Sequence, residues 1–467
     1  MAFAGRTQRP VLDTKLCRQC GVCVRACPAD STADFRLDEN TVRGYLYMET
    51  DLAERASLPP CTAACPLDQK VMDYVRLLSL GRVKEALLTV REDNPLPGLC
   101  AYVCHHPCES ACLRGTWDEP VAVRELKRHA FLYEKDNREE ILEVLKSRKR
   151  PLTGRKAVIV GAGPAGLACS YELAMGGMEV QVMDALDRPG GMLIHGIPSF
   201  RLPRWVIEHE VEMVRSLGVE FMTSFRLGKD VTFRELREEE NGAIVVTTGA
   251  WKDLELGIEG EGDEGCIPCL EFLGKANRGE LGSVSGRVLV IGGGNAAVDT
   301  ARCASRLGAR EVVILYRRGP EEMPALREEM KAALDEGVRI EYRVAPVRMI
   351  REGDRVTGVE LVRTRPGSPD DSGRRSPVPL PGSAFKEPAD LIVTAIGQRP
   401  DPSFLEGDSV SPEGRVRCSA DGMVEGMEGV FAAGDAVTGP STVVEAIASG
   451  KRVARRVLEY LGEAEAC

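Results

Sequence analysis

Two segments, AVIVGAGPAGLACS at 157–170 and VLVIGGGNAAVDTA at 288–301, constrain the fold more than any other feature. Each runs from an apolar β-type stretch through a glycine turn into an apolar helix, and a second β-type run follows. That is the grammar of a parallel α/β sheet. In the first copy Gly161, Gly163 and Gly166, with Pro164 and Ala165 between them, stand directly after the strand, which is the context a G-x-G-x-x-G match requires. The first glycine permits the tight turn, the second lets backbone approach a pyrophosphate, and the third allows close helix–strand packing. The helix N-terminus then faces the phosphates. Asp184 closes the following strand EVQVMD, where a carboxylate accepts ribose hydroxyls.

The second copy has Gly292 and Gly294 followed by Asn295 and Ala296, and Ala297 takes the place of the third glycine. Its next strand, VVILYRR, ends on Arg317 and Arg318, where a site selective for an unphosphorylated ribose carries an acid. Guanidinium groups there suit a 2′-phosphate and so point to NADP(H). Two solvated surface arginines are the competing reading.

At 467 residues the chain exceeds one simple core, and domains of about 100–200 residues make two to four units the expectation. Lysine and arginine total 61 against 71 acidic residues, a net charge of −10. A general attraction to nucleic acid or anionic lipid is therefore disfavoured. MAFAGRTQRP lacks an apolar signal core, and no stretch reaches the roughly 18 uninterrupted apolar residues of a membrane helix. A cytoplasmic protein without a membrane span is expected.

Sixteen cysteines in such a chain indicate metal or redox chemistry rather than structural disulfides. Ten of them fall early: Cys17, Cys20, Cys23, Cys27, Cys61, Cys65, Cys100, Cys104, Cys108 and Cys112. CRQCGVCVRACP has the C-x2-C-x2-C-x3-C-P spacing of bacterial ferredoxins, in which a tight loop turns three thiolates toward one [4Fe–4S] cube. In two-cluster ferredoxins the fourth cysteine serves the other cluster, so this motif needs a thiolate from elsewhere or an unusual local closure. A second group, CTAACP and CAYVCHHPCESAC, follows. Tetrahedral zinc is the structural alternative for such thiols. Cys266 and Cys269 form a C-x-x-C that is read as an ordinary connector, although a redox pair is its other reading. Cys169 and Cys303 are read as small buried apolar residues.

Along the chain a short Cys-rich module (1–48) and a helical region with a linker (49–150) precede α/β grammar that restarts at Arg287, with apolar strands resuming at Leu391. In the helical region Val71, Tyr74, Val75 and Leu78 recur at helical spacing. Ile141, Leu142 and Leu145 mark one face of a further helix, and the polar stretch 363–387 reads as loop or hairpin.

GAGPAGLACS, RPGGMLIHGIPSFRLP, IGGGNAAVDTA, YRR, TAIGQRP and FAAGDAVTGPSTVVEAIASGK, in this order, resemble the small subunit of bacterial glutamate synthase and its relatives. Those relatives include the N-terminal half of dihydropyrimidine dehydrogenase and the NADPH-binding subunit of NADH-dependent ferredoxin:NADP oxidoreductase. The resemblance runs from about residue 50 to the C-terminus. It implies an α/β chain with two Rossmann-like domains, FAD-binding (151–284 and 388–467) and inserted NADP-binding (285–387), behind a helical iron–sulfur domain with a linker (49–150) and a ferredoxin-like iron–sulfur module (1–48).

By the same resemblance FAD is held by the first glycine turn, Asp184, Gly191, Met192, Leu193 and Arg201, with Gly434, Asp435, Thr442 and Val443 closing over it. The nicotinamide nucleotide falls to Gly294–Ala297, Arg317, Arg318, Ala395, Ile396 and Gly397. The family's C-x2-C-x4-C-x3-C-P run is incomplete, since its two leading positions are Ala53 and Ala56. One cube is therefore assigned Cys17, Cys20 and Cys23 with Cys27, Cys61 or Cys112. The other is assigned Cys65, Cys104 and Cys108, with Cys100 replacing a side-chain oxygen ligand that falls near Lys127.

The implied activity is hydride exchange between NADP(H) and FAD, followed by one-electron transfer through two [4Fe–4S] clusters to or from a partner subunit or ferredoxin in a hetero-oligomer. An electron-bifurcating transhydrogenase-type complex is one setting for it. No catalytic acid or base is called for, because the cofactors carry the chemistry. The competing classes are a flavin disulfide reductase using Cys266 and Cys269, and a non-catalytic iron–sulfur or zinc interaction subunit.

Overall fold

The computed structural model describes residues 58–238, 242–370, 373–405 and 409–462. Between Ser147 and Arg148 the chain divides into two units.

The first unit is helical: α1 (Pro60–Ala63), α2 (Val71–Ser79), α3 (Val83–Asp93), α4 (Pro97–Val103), α5 (Pro107–Ser110), α6 (Val123–Asp136) and α7 (Arg138–Arg148). Pro60, Pro97 and Pro107 open three of these helices, where a missing N–H costs nothing. Val71 and Tyr74 are buried, with Val75 and Leu78 packed against them. Ile141 and Leu145 bury the inner face of α7. The buried Arg91 of α3 pairs through its Nε and Nη2 with both carboxylate oxygens of Glu134 on α6 and donates Nη1 to the Pro95 carbonyl at 2.9 Å. A fully desolvated charge pair of this kind fixes register between the helices.

The second unit holds two five-stranded parallel sheets. In the first, β1 (Lys156–Val160), α8 (Pro164–Met175) and β2 (Glu179–Met183) form the opening strand–helix–strand unit. Helices α9 (Met192–His195) and α10 (Arg204–Ser216) lead to β3 (Val219–Met222), and α11 (Phe233–Glu238) to β4 (Ala243–Val246). A two-residue strand β5 (Lys252–Asp253) then precedes β6 (Cys266–Pro268) and α12 (Cys269–Asn277).

The second sheet is centred on β7 (Arg287–Ile291), α13 (Asn295–Arg306) and β8 (Glu311–Tyr316), with α14 (Arg327–Asp335) leading to β9 (Arg339–Tyr342). An antiparallel sheet follows, from β10 (Val344–Glu352), β11 (Arg355–Pro369), β12 (Arg375–Pro379) and β13 (Phe385–Pro388). Then come β14 (Leu391–Thr394), β15 (Gln398–Arg399), β16 (Val430–Ala432), α15 (Asp435–Thr438) and α16 (Val443–Tyr460).

The strand orders are β16-β4-β1-β2-β3 and β6-β14-β7-β8-β9, while β5 pairs with β15 in a separate ribbon. The second sheet thus lies within the sequence of the first, between β4 and β16. It also includes strands outside the limits 285 and 387 expected for the inserted domain. Leu391–Thr394 pair with Val288–Ile291, and Cys266–Pro268 pair with Ile392–Thr394, so both flanking strands belong to the inserted sheet. The strand expected to begin at Leu391 is present, while the three-residue strand Cys266–Pro268 carries too little pattern to be seen in sequence. The polar segment expected to be a loop or hairpin is a hairpin, with Thr364 opposite Pro379 and Arg365 opposite Val378. Among the described residues no helix is long and apolar enough to cross a membrane.

Candidate dinucleotide and iron–sulfur sites

At the first turn Gly161 has φ +109°, and a Cβ there would meet the Thr247 carbonyl oxygen at 2.5 Å. A Cβ on Gly166 would lie 1.9 Å from the Gly161 oxygen. Neither position admits a side chain. Gly163 differs, for a Cβ there meets nothing within 4 Å, so the second glycine opens a space instead of closing a contact. Sequence reasoning missed Thr247. Its hydroxyl, at the end of β4, donates to the Gly161 oxygen at 2.8 Å and ties the turn to the neighbouring strand. TTG after an apolar strand was the available signal.

Two further glycines assigned to this site stand close against the first turn. Gly191, at φ +52°, would place a Cβ 2.9 Å from Gly163 Cα, and Gly434, at φ +68°, would place one 2.8 Å from Ala165 Cβ. Gly434 N–H donates to Ser449 Oγ at 2.9 Å. Pro164 begins α8, Leu193 is buried, and Met192 packs against the core of the second sheet. Thr442 caps α16, accepting from Glu445 N–H, and Val443 begins that helix. Asp184 accepts from Ala162 N–H at 2.6 Å and Leu186 N–H at 2.8 Å. It therefore braces the turn while keeping lone pairs for hydroxyl donors. Burial pushes its carboxyl up from the ordinary range.

Asp435 is the sharpest indicator of a ligand. Its Oδ1 is buried without a hydrogen-bond partner among the described residues, and burial pushes its pKa up to about 6. A buried acceptor left unpaired costs about 1–3 kcal/mol unless a ligand completes it. Arg201, expected at the flavin, makes ion pairs in this structure. Its guanidinium pairs with Asp299 and Glu329 on the inserted domain.

The second turn repeats the first. A Cβ on Gly292 would strike the Ala395 oxygen at 2.1 Å, while Gly294 has nothing within 4 Å. Asn295 accepts from Leu326 N–H at 2.9 Å, Ala297 is buried, Ala296 is partly buried, and Ile396 lies open at 37 % exposure. Gly397 adopts φ +130°. The structure divides the arginine pair expected at the ribose. Arg318 is buried, donates Nε to the Arg375 carbonyl at 2.9 Å and pairs through Nη2 with Asp370. Arg317 is exposed, and its pKa is lowered by partial burial and by the neighbouring Arg318 and Arg374 charges.

In the helical unit Cys65, Cys100, Cys104 and Cys108 are buried. The last three feel the charge of the buried Lys127, and Lys127 in turn feels Cys65. Gln69 Nε2 donates to Cys65 Sγ at 3.4 Å and His106 N–H to Cys104 Sγ at 3.3 Å. A hydrogen bond from Cys100 pulls the Cys104 thiol down to about 6, and burial pushes Cys108 up to about 12. Cys61 and Cys112 form a separate, half-buried pair, whose mutual charge adds to the effect of burial in raising Cys61.

Among the described residues no three His, Cys, Asp or Glu side chains converge as ligands of one ion would. A cube takes its thiolates at separate corners. Four buried thiols, two of them with N–H donors on their sulfurs, and the charge of a buried ammonium felt by the group suit an anionic cluster. Cys17, Cys20, Cys23 and Cys27 lie outside the described residues. Cys269 is buried, accepts from Gln398 Nε2 at 3.5 Å and donates to Asp253 at 3.4 Å, and burial raises its pKa. Cys266 is likewise buried, so neither is a poised thiolate. Cys169 and Cys303 are buried as expected.

Two parallel sheets, one inserted in the other and each opened by a glycine turn, define a class of flavin- and nicotinamide-dependent oxidoreductases. Comparison with known proteins gives the same class. Residues 155–450 match the family described as pyridine nucleotide-disulphide oxidoreductase, 49–139 match dihydropyrimidine dehydrogenase domain II with its 4Fe–4S cluster, and 10–31 match a 4Fe–4S binding domain. The NADP(+)-dependent formate dehydrogenase subunit beta of Moorella thermoacetica is 41% identical over 86% of this chain and 60% of that protein. The NADPH-Fe(3+) oxidoreductase subunit beta of Geobacter sulfurreducens is 38% identical over 87% and 64%. The chain thus spans less than two thirds of the length of both. The glutamate synthase [NADPH] small chain of Halomonas elongata is 34% identical over 86% of this chain and 88% of that one. Among solved structures, Mycobacterium tuberculosis FprA in complex with NADPH shares the fold at TM-score 0.58 and 22% identity, over 67% of this chain and 85% of that one. The chain belongs to the pyridine nucleotide-disulphide oxidoreductase family, among the relatives of the glutamate synthase small chain. It is an FAD- and NADP-binding redox chain with 4Fe–4S domains.

Proposed function

We propose that the chain is the electron-transfer subunit of a larger cytoplasmic redox enzyme, taking hydride from or giving it to NADP(H) and exchanging single electrons with a partner subunit or ferredoxin. Bound FAD supplies the conversion between hydride and one-electron chemistry, and two [4Fe–4S] clusters supply the one-electron path. The residues position and bind. Gly163 leaves room for a pyrophosphate at the start of α8, Asp184 accepts hydroxyls, and Asp435 offers an unpaired acceptor beside Gly434. Gly294 leaves the same room at the start of α13, and Arg317 presents a guanidinium at the end of β8. Cys65, Cys100, Cys104 and Cys108 hold one cube. Cys61 and Cys112 are the described candidates to complete the other, with Cys17, Cys20 and Cys23.

The observation that carries this reading is the buried, unpaired Asp435 Oδ1 beside the open Gly163 cradle. The relatives named as beta subunits of a formate dehydrogenase and of an NADPH-Fe(3+) oxidoreductase support assembly with further redox subunits. Domain limits follow the sheets, so the nicotinamide domain includes both Cys266–Pro268 and Leu391–Thr394. The test is anaerobic purification of the chain with its partners, followed by assay of flavin, iron and sulfide. Protein with an intact fold that neither contains nor takes up FAD rejects the reading.

A further inference from the structure

The inserted sheet carries a basic pocket at the end of β8 that reaches into the antiparallel hairpin. Its wall includes Arg317, Arg318, Arg343, Arg365 and Arg375, together with Glu322. Two of these groups are already engaged. Arg318 is committed to Asp370 and the Arg375 carbonyl, and Glu322 Oε2 accepts from Gly319 N–H at 3.0 Å. Arg317, Arg343 and Arg365 line the same pocket, and none of them has an ion-pair partner among the described residues.

Arg343 adds a second, independent observation. It adopts φ +59°, a left-handed conformation that a bulky L-residue rarely tolerates. The strained residue is held from both sides, since its N–H donates to the Arg318 oxygen at 3.1 Å and its oxygen accepts from Thr364 N–H at 2.8 Å. Thr364 Oγ1 also donates to the Arg317 oxygen at 2.8 Å. Three arginines therefore line one pocket, one of them on a strained backbone tied to the other two strands, at the place where this sheet topology presents the ribose.

We propose that the 2′-phosphate of NADP(H) is gripped by Arg317, Arg343 and Arg365 together, the hairpin being part of the cofactor site and Arg318 a strut that holds the hairpin against β8. This rests on the NADP(H) reading and names residues that the glycine-turn motif does not reach. A phosphate dianion satisfies several guanidinium groups at once and relieves their mutual repulsion.

The experiment is calorimetric titration of the FAD-loaded full chain with NADP+, NAD+ and 2′,5′-ADP. Arg343→Ala and Arg365→Ala are each expected to weaken NADP+ and 2′,5′-ADP by about tenfold or more and to leave NAD+ within about twofold. Arg317→Ala should show the same selectivity. Arg318→Ala should weaken NADP+ and also lower the thermal transition, as loss of a strut requires. If Arg317→Ala is selective while the Arg343 and Arg365 variants bind NADP+ like the wild type, the three-arginine pocket is wrong and the NADP(H) reading stands. If the unaltered chain binds NAD+ as tightly as NADP+, both fall.

Discussion

Arg201 Nη1 donates to Asp299 Oδ2 at 2.7 Å, and its Nε lies 2.9 Å from Glu329 Oε1. This pair joins the loop before α10 to helix α13 of the inserted domain. It continues through Arg302, which pairs with Glu329 and Glu336 and stacks over Phe200 at 4.7 Å. The side chains of Arg201 and Asp299 are only 9% and 5% exposed, so neither can be released to water. Arg201→Met should cost about 3–5 kcal/mol in urea unfolding by stranding a buried carboxylate, while the double variant Arg201→Met/Asp299→Leu should recover most of it. Equal loss in both variants would show that the pair does not act as a unit.

The glycines of the first turn make separable predictions. Gly166→Ala drives a Cβ into the Gly161 oxygen and should lower stability by about 1–3 kcal/mol along with FAD retention. Gly163→Ala meets open space and should fold with unchanged stability yet retain little FAD. A Gly163→Ala protein with full flavin content would place the cofactor elsewhere.

Asp435 gives FAD affinity a pH dependence. Burial raises its pKa from 3.8 to about 6 in the folded chain without ligand. In the folded apoprotein this group contributes stability that is fully present below about pH 4 and is lost as pH rises through about 6. A hydroxyl donated by FAD to Oδ1 favours the carboxylate and lowers that pKa, so binding releases a proton. FAD should therefore bind more tightly as pH rises through about 6, by up to about tenfold per unit below the pKa. Fluorescence titration of Asp435→Asn should show this slope abolished, and an unchanged slope would assign it to another group.

The strain at Arg343 predicts a stability difference between two substitutions. Glycine tolerates φ +59° and alanine does not, so Arg343→Gly should be more stable than Arg343→Ala by about 1–2 kcal/mol. Equal thermal transitions would mean that the left-handed conformation costs nothing there.

The glycine turns and the ten early cysteines were legible because their chemistry lies in local spacing. The fate of Arg318 was not, since its partner Asp370 lies on a hairpin distant in sequence and only tertiary pairing brings the two together. The partner of Arg201 was hidden in the same way, since Asp299 stands on the other Rossmann-like domain. The strand at Leu391 was legible as an apolar run but its partners were not, and Cys266–Pro268 was too short to carry a period; their pairing decides where the domain ends. Cys100 was read as replacing the oxygen ligand that falls near Lys127. That the charge of the buried Lys127 on α6 reaches buried thiols on and beside α4 and α5 is a fact of helix packing that no spacing encodes.

The central claim is that hydride exchanged at the nicotinamide site is coupled to single electrons exchanged through the cysteine-rich region of the same chain. Anaerobic titration with NADPH, followed by flavin absorbance and by electron paramagnetic resonance of the clusters, tests it directly. The account predicts about eight iron atoms per chain, bleaching of the flavin by NADPH but not by equal NADH, and cluster signals that grow with it. In Cys104→Ser the flavin should still bleach, while the signal of the cluster assigned to Cys65, Cys100, Cys104 and Cys108 is lost. Stoichiometric zinc without iron, or a flavin that NADPH leaves oxidised, would contradict the account.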